Sequence, residues 1–302
     1  MSKTTALFLF LMFFAHLVCG QSLKLATYQY ADNNRIANIS PLAHHLTEKL
    51  GYKVEATSYA TVHLLIEAIK NNEVDIALIN TFGYLLLESS SGEFPMDPLV
   101  ALQVKQGTED NYKTAIVAAY SSPITSLHQI KKYAARSRLM LVNIRSTSGN
   151  LVPRLALSST GLAEAENSFQ QVSYGITHRA TIDSVAEAKV ELAAVGSTEY
   201  FSFISKAENS NKIRLLWLSP EIPLGPVLVN KNIPASGREG LINALLQLHE
   251  SNPQALMYVK DGWSEAKQAE KFIRIDSSYY HPFKKQIGAG VNLEKILKQF
   301  LN

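Results

Sequence analysis

Along this chain, short apolar runs alternate with longer stretches in which hydrophobic residues recur at helical spacing. Leu23 to Tyr28 reads as a first strand, and Leu42, Leu46 and Leu50 fall on one stripe of a helix predicted over Pro41 to Leu50. Lys53 to Thr57 reads as a second strand, and Leu139 to Ile144 as a later one, apolar but for Asn143. After Gly240 the pattern is mainly helical, with Leu241, Leu245 and Leu248 on one face and a further run from Ala255 to Val259. Strands alternating with helices in this way predict an α/β protein built from βαβ units.

One segment occurs twice. Leu65 to Tyr84 and Thr181 to Tyr200 align without a gap, pairing Ile66 with Ile182, Val74 with Val190, Asp75 with Glu191, Ala77 with Ala193, Thr81 with Ser197 and Tyr84 with Tyr200. Each copy reads as a helix end, a short buried strand, a small polar turn and a new helix. A shared βαβ pattern explains such likeness, and so do two separate lobes with one copy each. On the second reading, Asn80-Thr81 and Ser197-Thr198-Glu199 lie at the carboxyl ends of strands, where open α/β sheets bind ligands. Thr114 to Ala119 and Ile213 to Leu218 are the candidate crossings between lobes. The predicted organisation is a leader over 1–20, a discontinuous first lobe over 21–115 and 219–302, and a second lobe over 116–218, hinged at the two crossings.

The stretch with most chemistry follows the strand ending at Ile144: Arg145-Ser146-Thr147-Ser148-Gly149, then a helix with Pro153 in its first turn. A hydroxyl-rich turn opening a helix directs free amides and hydroxyls at one point, and the helix dipole favours negative charge there. Ser146 or Ser148 acting only as a helix cap accounts for the same residues. The Gly-Lys-Ser/Thr ending of a nucleotide P-loop is absent.

The chain resembles the phosphate, phosphite and phosphonate-binding proteins of ABC importers from about Leu23 to about Pro234. The resemblance rests on Tyr59 ahead of Leu65-Ile66-Glu67-Ala68, Val74-Asp75-Ile76-Ala77, Tyr112 before Ile116-Val117, Ser122-Pro123-Ile124, Ser146-Thr147-Ser148-Gly149 with Leu151-Val152-Pro153, His178, Glu199, and Ser219-Pro220 with Ile222-Pro223. It implies a two-lobed type II periplasmic binding fold, each lobe a mixed sheet flanked by helices. It also implies a site in which Ser146, Thr147 and Ser148 grip phosphonyl oxygens, Tyr112 and His178 donate from the sides, and Tyr59 lines the cleft from the first lobe. In family members that take aminoalkyl phosphonates, Glu199 and a downstream aspartate are expected to hold the amino group. Gly225 stands at that second position here, which favours phosphate, phosphite or a small alkyl phosphonate. The implied partners are the small oxyanion and either an importer's membrane permease or a membrane sensor, with the protein acting as a monomer and binding at micromolar strength.

Composition narrows the alternatives. Lys3, the apolar run Ala6 to Phe14 and Val18-Cys19-Gly20 read as a cleaved export signal, with lipid anchoring at Cys19 the less favoured variant, so a periplasmic location is expected. Removing the leader takes away the only cysteine, which excludes disulfides and thiolate metal sites. It leaves 28 basic against 26 acidic residues, too even a balance for a nucleic-acid footprint. No cofactor is expected. His44, His45 and His63 lack HExxH spacing and read as helix-surface or packing groups rather than metal ligands. Asp75 reads as a buried structural group and Tyr279-Tyr280-His281 as a packing cluster. Ser148, His178 and Glu199 imitate a hydrolase triad, but no Gly-x-Ser-x-Gly elbow is present, and the chain reads as a binding protein rather than an enzyme.

Overall fold

The computed structural model describes residues 22–90, 93–104, 112–288 and 293–300. The leader and Cys19 therefore lie outside the described residues. Two mixed sheets organise the chain. The first has the order β11-β4-β10-β3-β1-β2, from β1 (Leu23–Tyr28), β2 (Val54–Tyr59), β3 (Ile76–Leu78), β4 (Met96–Val104), β10 (Pro226–Asn230) and β11 (Ala269–Arg274). The second has the order β7-β6-β8-β5-β9, from β5 (Thr114–Ala119), β6 (Arg138–Leu141), β7 (Gln171–Tyr174), β8 (Leu192–Gly196) and β9 (Ile213–Leu218). Each sheet is parallel in part, β1 with β2 and β3 in one, β6 with β7 and β8 in the other. Strands running the opposite way complete them, β10 and β11 in the first sheet and β5 in the second, where β9 pairs antiparallel to β5.

Strands covered on both faces are apolar throughout rather than alternating, and β5 and β8 show how that works. Ile116, Ala118, Leu192 and Ala194 join one buried cluster with Leu139 and Leu141, while Ala115, Val117, Ala193 and Val195 join a separate one. The period of two thus sorts consecutive residues of one strand into two cores, one on each face.

Nine longer helices flank the sheets among the described residues: α1 (Arg35–Leu50), α2 (Val62–Lys70), α3 (Thr81–Ser89), α4 (Val152–Ser159), α5 (His178–Ala186), α6 (Ser197–Ile204), α7 (Ala235–Leu246), α8 (Pro253–Gly262) and α9 (His281–Gly288). The two sequence copies become α2-β3-α3 in the first sheet's layer and α5-β8-α6 in the second's. Asp75 accepts the Lys24 amide at 2.8 Å, a structural bond between neighbouring segments. Tyr280 is sealed against Tyr84 and donates to the Leu224 carbonyl at 2.7 Å, so the C-terminal aromatics pack rather than form a surface.

Two sequence expectations differ from the structure, the start of the first helix and the C-terminal portion. The first helix begins at Arg35, capped by Asn34, and runs through Pro41, whose ring forfeits only one helical bond. It ends at Gly51 in the left-handed conformation, φ 75°, that only glycine adopts without strain. The two stretches read as crossings are neighbouring strands of the second sheet, β5 and β9, each next along the chain to a strand of the first, β4 and β10. Within the C-terminal portion read as helical, Ala269–Arg274 forms β11 on the sheet edge, where charged Glu270, Lys271 and Arg274 are tolerated.

Candidate functional site

In both sheets the segments that follow the carboxyl ends of the parallel strands meet around a hollow, the position at which open α/β sheets bind ligands. One chamber of about 310 Å³ is lined by Tyr28 to Ala31 after β1, Ala60 to Val62 after β2, Asn80 after β3, Asn143 to Thr147 after β6, and Tyr112, His178 and Glu265. A second chamber of similar volume shares Tyr30, Tyr112, His178 and Glu265 and extends to Arg179, Glu199 and Lys267.

The turn after β6 is built by its own side chains. Ser146 caps it, its Oγ accepting the Gly149 amide at 3.0 Å, and a wide helical turn over Thr147–Leu151 leads into α4 with Pro153 at its start. Asn150 donates to the Ile144 carbonyl at 2.6 Å and is itself held by the buried Arg154 at 2.8 Å, which also pairs with Glu166. Gly149 has no room for a side chain, because an added Cβ would lie 2.4 Å from Val142 Cγ2. Asn80 donates to the Arg145 carbonyl at 3.0 Å, tying the turn to the start of α3.

The polarity of the site follows from which lone pairs are already used. The Phe82 amide donates to Thr147 Oγ1 at 3.1 Å, the Gly149 amide to Ser146 Oγ, and the Ser148 amide to the Tyr112 hydroxyl at 3.3 Å. The Gly196 amide donates to His178 Nδ1 at 2.9 Å, so the neutral ring carries its proton on Nε2. Each group has an acceptor site filled by backbone and keeps its own proton to give. Ser148 Oγ is fully buried with no hydrogen-bond partner.

Burial holds these groups neutral. Desolvation pushes the Tyr112 phenol far above its ordinary value and lowers His178 from 6.5 to about 4. A histidine held neutral stabilises the fold fully above pH 6.5, and that contribution is lost as pH falls from 6.5 toward about 4, because the unfolded chain takes up the proton first. His178→Asn, which keeps an acceptor for the Gly196 amide, is expected to flatten the stability of the ligand-free protein between those two values. Urea denaturation at several pH values reads this, and equal slopes in the two proteins would contradict it.

Of the residues singled out in the sequence, Tyr112, Ser146, Thr147 and His178 line the first chamber together. Ser148 lies just behind them, and Glu199 lines only the second chamber, its carboxyl raised by burial and opposed by Arg179 at 3.9 Å. Tyr59 lines neither and packs against the first sheet's core, leaving Ala60 to Val62 to face the hollow. With Nδ1 of His178 engaged by an amide, Glu199 does not orient that ring as a triad acid would. Gly225 is pressed against the backbone of Ile79 and Asn80.

Sequence reading missed Arg35 and Glu265, which line the first chamber, and gave Arg145, which also lines it, no role beyond its place in the turn. Arg35 follows the end of β1, a position that signals ligand contact once the helix is known to start there. Glu265 had no such signal. No group of three or more potential metal ligands occurs among the described residues, and none of their helices is long and apolar enough to cross a membrane.

A family model described as "ABC transporter, phosphonate, periplasmic substrate-binding protein" matches residues 27–280. The phosphonates-binding periplasmic protein of Escherichia coli K12 is 24% identical over 230 residues; the match covers 74% of this chain and 65% of that protein, just under two thirds of its length. Among solved structures, XAC2383 from Xanthomonas citri bound to ATP superposes with a TM-score of 0.71 at 18% identity, over 93% of this chain and 99% of the other. PhnD1 from Prochlorococcus marinus in complex with methylphosphonate gives a TM-score of 0.63 at 16% identity, over 89% of this chain and 97% of that one.

Proposed function

Because the chain belongs to the family of phosphonate periplasmic substrate-binding proteins of ABC transporters, we propose that it captures a small phosphate-like oxyanion in the hollow between its two sheets and passes it to a membrane permease. The family consists of binding proteins rather than enzymes. The observation that carries the ligand class is the polarity of the first chamber. Ser146, Thr147, Tyr112 and His178 each accept a backbone amide and are left with a proton to donate. Such a set suits a ligand rich in acceptors, and charge-assisted hydrogen bonds to an anion are the stronger kind. Ser148 Oγ, buried and unpartnered, adds a fifth donor once the ligand seats.

One similar structure holds methylphosphonate and another ATP, so phosphorus oxyanions are the shared chemistry, and phosphite and phosphate carry the same tetrahedral oxygens. In this reading the segments 21–115 with 219–302 and 116–218 are hinged lobes that close on the ligand, the leader is cleaved, and the mature protein acts as a periplasmic monomer. Affinity on the order of micromolar corresponds to about 8 kcal/mol. Ligand at about 100 times its dissociation constant then stabilises the fold by roughly 2.7 kcal/mol. A thermal-melt panel of methylphosphonate, phosphite, phosphate, 2-aminoethylphosphonate and sulfate is expected to show a clear rise for at least one phosphorus oxyanion and none for sulfate. A flat response across the panel would remove the proposal.

A further inference from the structure

Arg35 is 2% exposed, yet its Nε and Nη1 have no hydrogen-bond partner. Leaving a buried guanidinium unpaired is costly, and native structures rarely do so without a reason. Its flat face is occupied: the guanidinium carbon lies 4.1 Å from the centre of the Trp263 ring, 5.5 Å from that of Tyr28 and 5.9 Å from that of Tyr30. Stacking fixes the orientation of the group and leaves its edge, where the N–H bonds lie, for some other partner. Arg35 lines the same chamber as Ser146 and Thr147, but it comes from the first sheet's side. The Tyr30 hydroxyl, also in the wall, is likewise buried without a partner.

Size points the same way. The chamber, about 310 Å³, has room beyond a lone tetrahedral oxyanion. Accepting the oxyanion reading above, on which this one rests, we propose that Arg35 and Tyr30 form a second anion-accepting pole. The ligand is then a two-headed acid, a phosphonate or phosphate bearing a further carboxylate or phosphoryl group. Nη2 shares one edge of the guanidinium with Nε and another with Nη1, and two parallel N–H bonds on such an edge suit a carboxylate or a phosphoryl oxygen pair. Glu265 faces the same chamber and draws on the charge of Arg35, and burial raises its carboxyl above the usual carboxylate range. In its protonated form it gives the second head a further donor; in its ionised form it moderates the attraction.

Calorimetric titration with methylphosphonate, phosphonoacetate, 3-phosphonopropionate and pyrophosphate tests this in the wild-type protein, Arg35→Lys and Arg35→Met. Wild type is expected to bind at least one two-headed acid about tenfold or more tighter than methylphosphonate. Both variants are expected to lose that preference, the methionine variant entirely, with methylphosphonate as the reference measured within each protein. The preference is a ratio measured within one protein, so partial misfolding of a variant cancels from it. If methylphosphonate binds wild type and no two-headed acid exceeds it, or the preference survives in Arg35→Met, the second pole is refuted and the oxyanion site stands. If wild type binds none of the four ligands, and neither phosphite nor phosphate, both readings fail together.

Discussion

Gly225→Asp is expected to destabilise the protein by about 3–5 kcal/mol rather than create a seat for an amino group. A Cβ at that position would lie 1.8 Å from the Ile79 carbonyl oxygen and 2.7 Å from the Cα of Asn80. Those atoms are backbone, and Asn80 is tied to the Arg145 carbonyl and caps α3 through the Gly83 amide at 2.9 Å, so they have little freedom to retreat. The preceding Leu224 is equally fixed, since its carbonyl accepts from the buried Tyr280 hydroxyl. The carboxylate would moreover arrive beside carbonyl oxygens, which repel it. Gly225→Ala, which adds the Cβ without the charge, is expected to show most of the same loss. Urea denaturation of both variants measures it. An aspartate variant with wild-type stability and improved affinity for 2-aminoethylphosphonate would show that the close approach of Gly225 is not what keeps a carboxylate out.

Glycine at 225 therefore has two readings that the sequence alone could not combine. As a letter in place of an aspartate it suggests a narrower ligand range; as a body against Ile79 and Asn80 it is a packing requirement. Much else was readable without coordinates. The copies around Ile76 and Leu192 announced themselves because each is a short buried strand between two helices, and they fall in different sheets. The turn after Ile144 was visible because small hydroxyl residues directly after an apolar strand have few other uses.

What escaped notice depends on tertiary contacts. Pro41 suggested a helix start, since proline favours the first turn, but α1 is held from Arg35 onward by its Asn34 cap and its buried face of Ile39, Leu42 and Leu46. The edge strand Ala269–Arg274 carries three charges in six residues and gains its strand character from pairing with β4. Arg35 and Glu265 lie far apart in sequence, and that both line one chamber is a property of the folded chain alone. Which proton each donor has free is likewise invisible in a sequence, because it depends on the amides of Phe82, Ser148, Gly149 and Gly196.

That last feature leads to the largest expected change in binding. Thr147→Val and Tyr112→Phe each remove one donor while nearly preserving shape. Loss of a hydrogen bond to a charged group costs about 1.5–3 kcal/mol, so each change is expected to weaken binding roughly 10- to 150-fold. The pair together should weaken it by about 10² to 10⁴, with the range widened by coupling between neighbours. Each substitution also leaves one buried amide unpaired, that of Phe82 or Ser148. A fall in ligand-free stability of about 1–3 kcal/mol is therefore expected alongside, and affinity must be read on protein shown to be folded.

Calorimetric titration of the folded Thr147→Val/Tyr112→Phe protein against wild type, using the tightest phosphorus oxyanion of the melt panel, tests most directly whether the leftover protons of this chamber hold the ligand. The account predicts near-micromolar binding by wild type and a loss of at least about a hundredfold in the double variant. Equal affinity in the two proteins would place the oxyanion somewhere other than in front of Ser146 and Thr147.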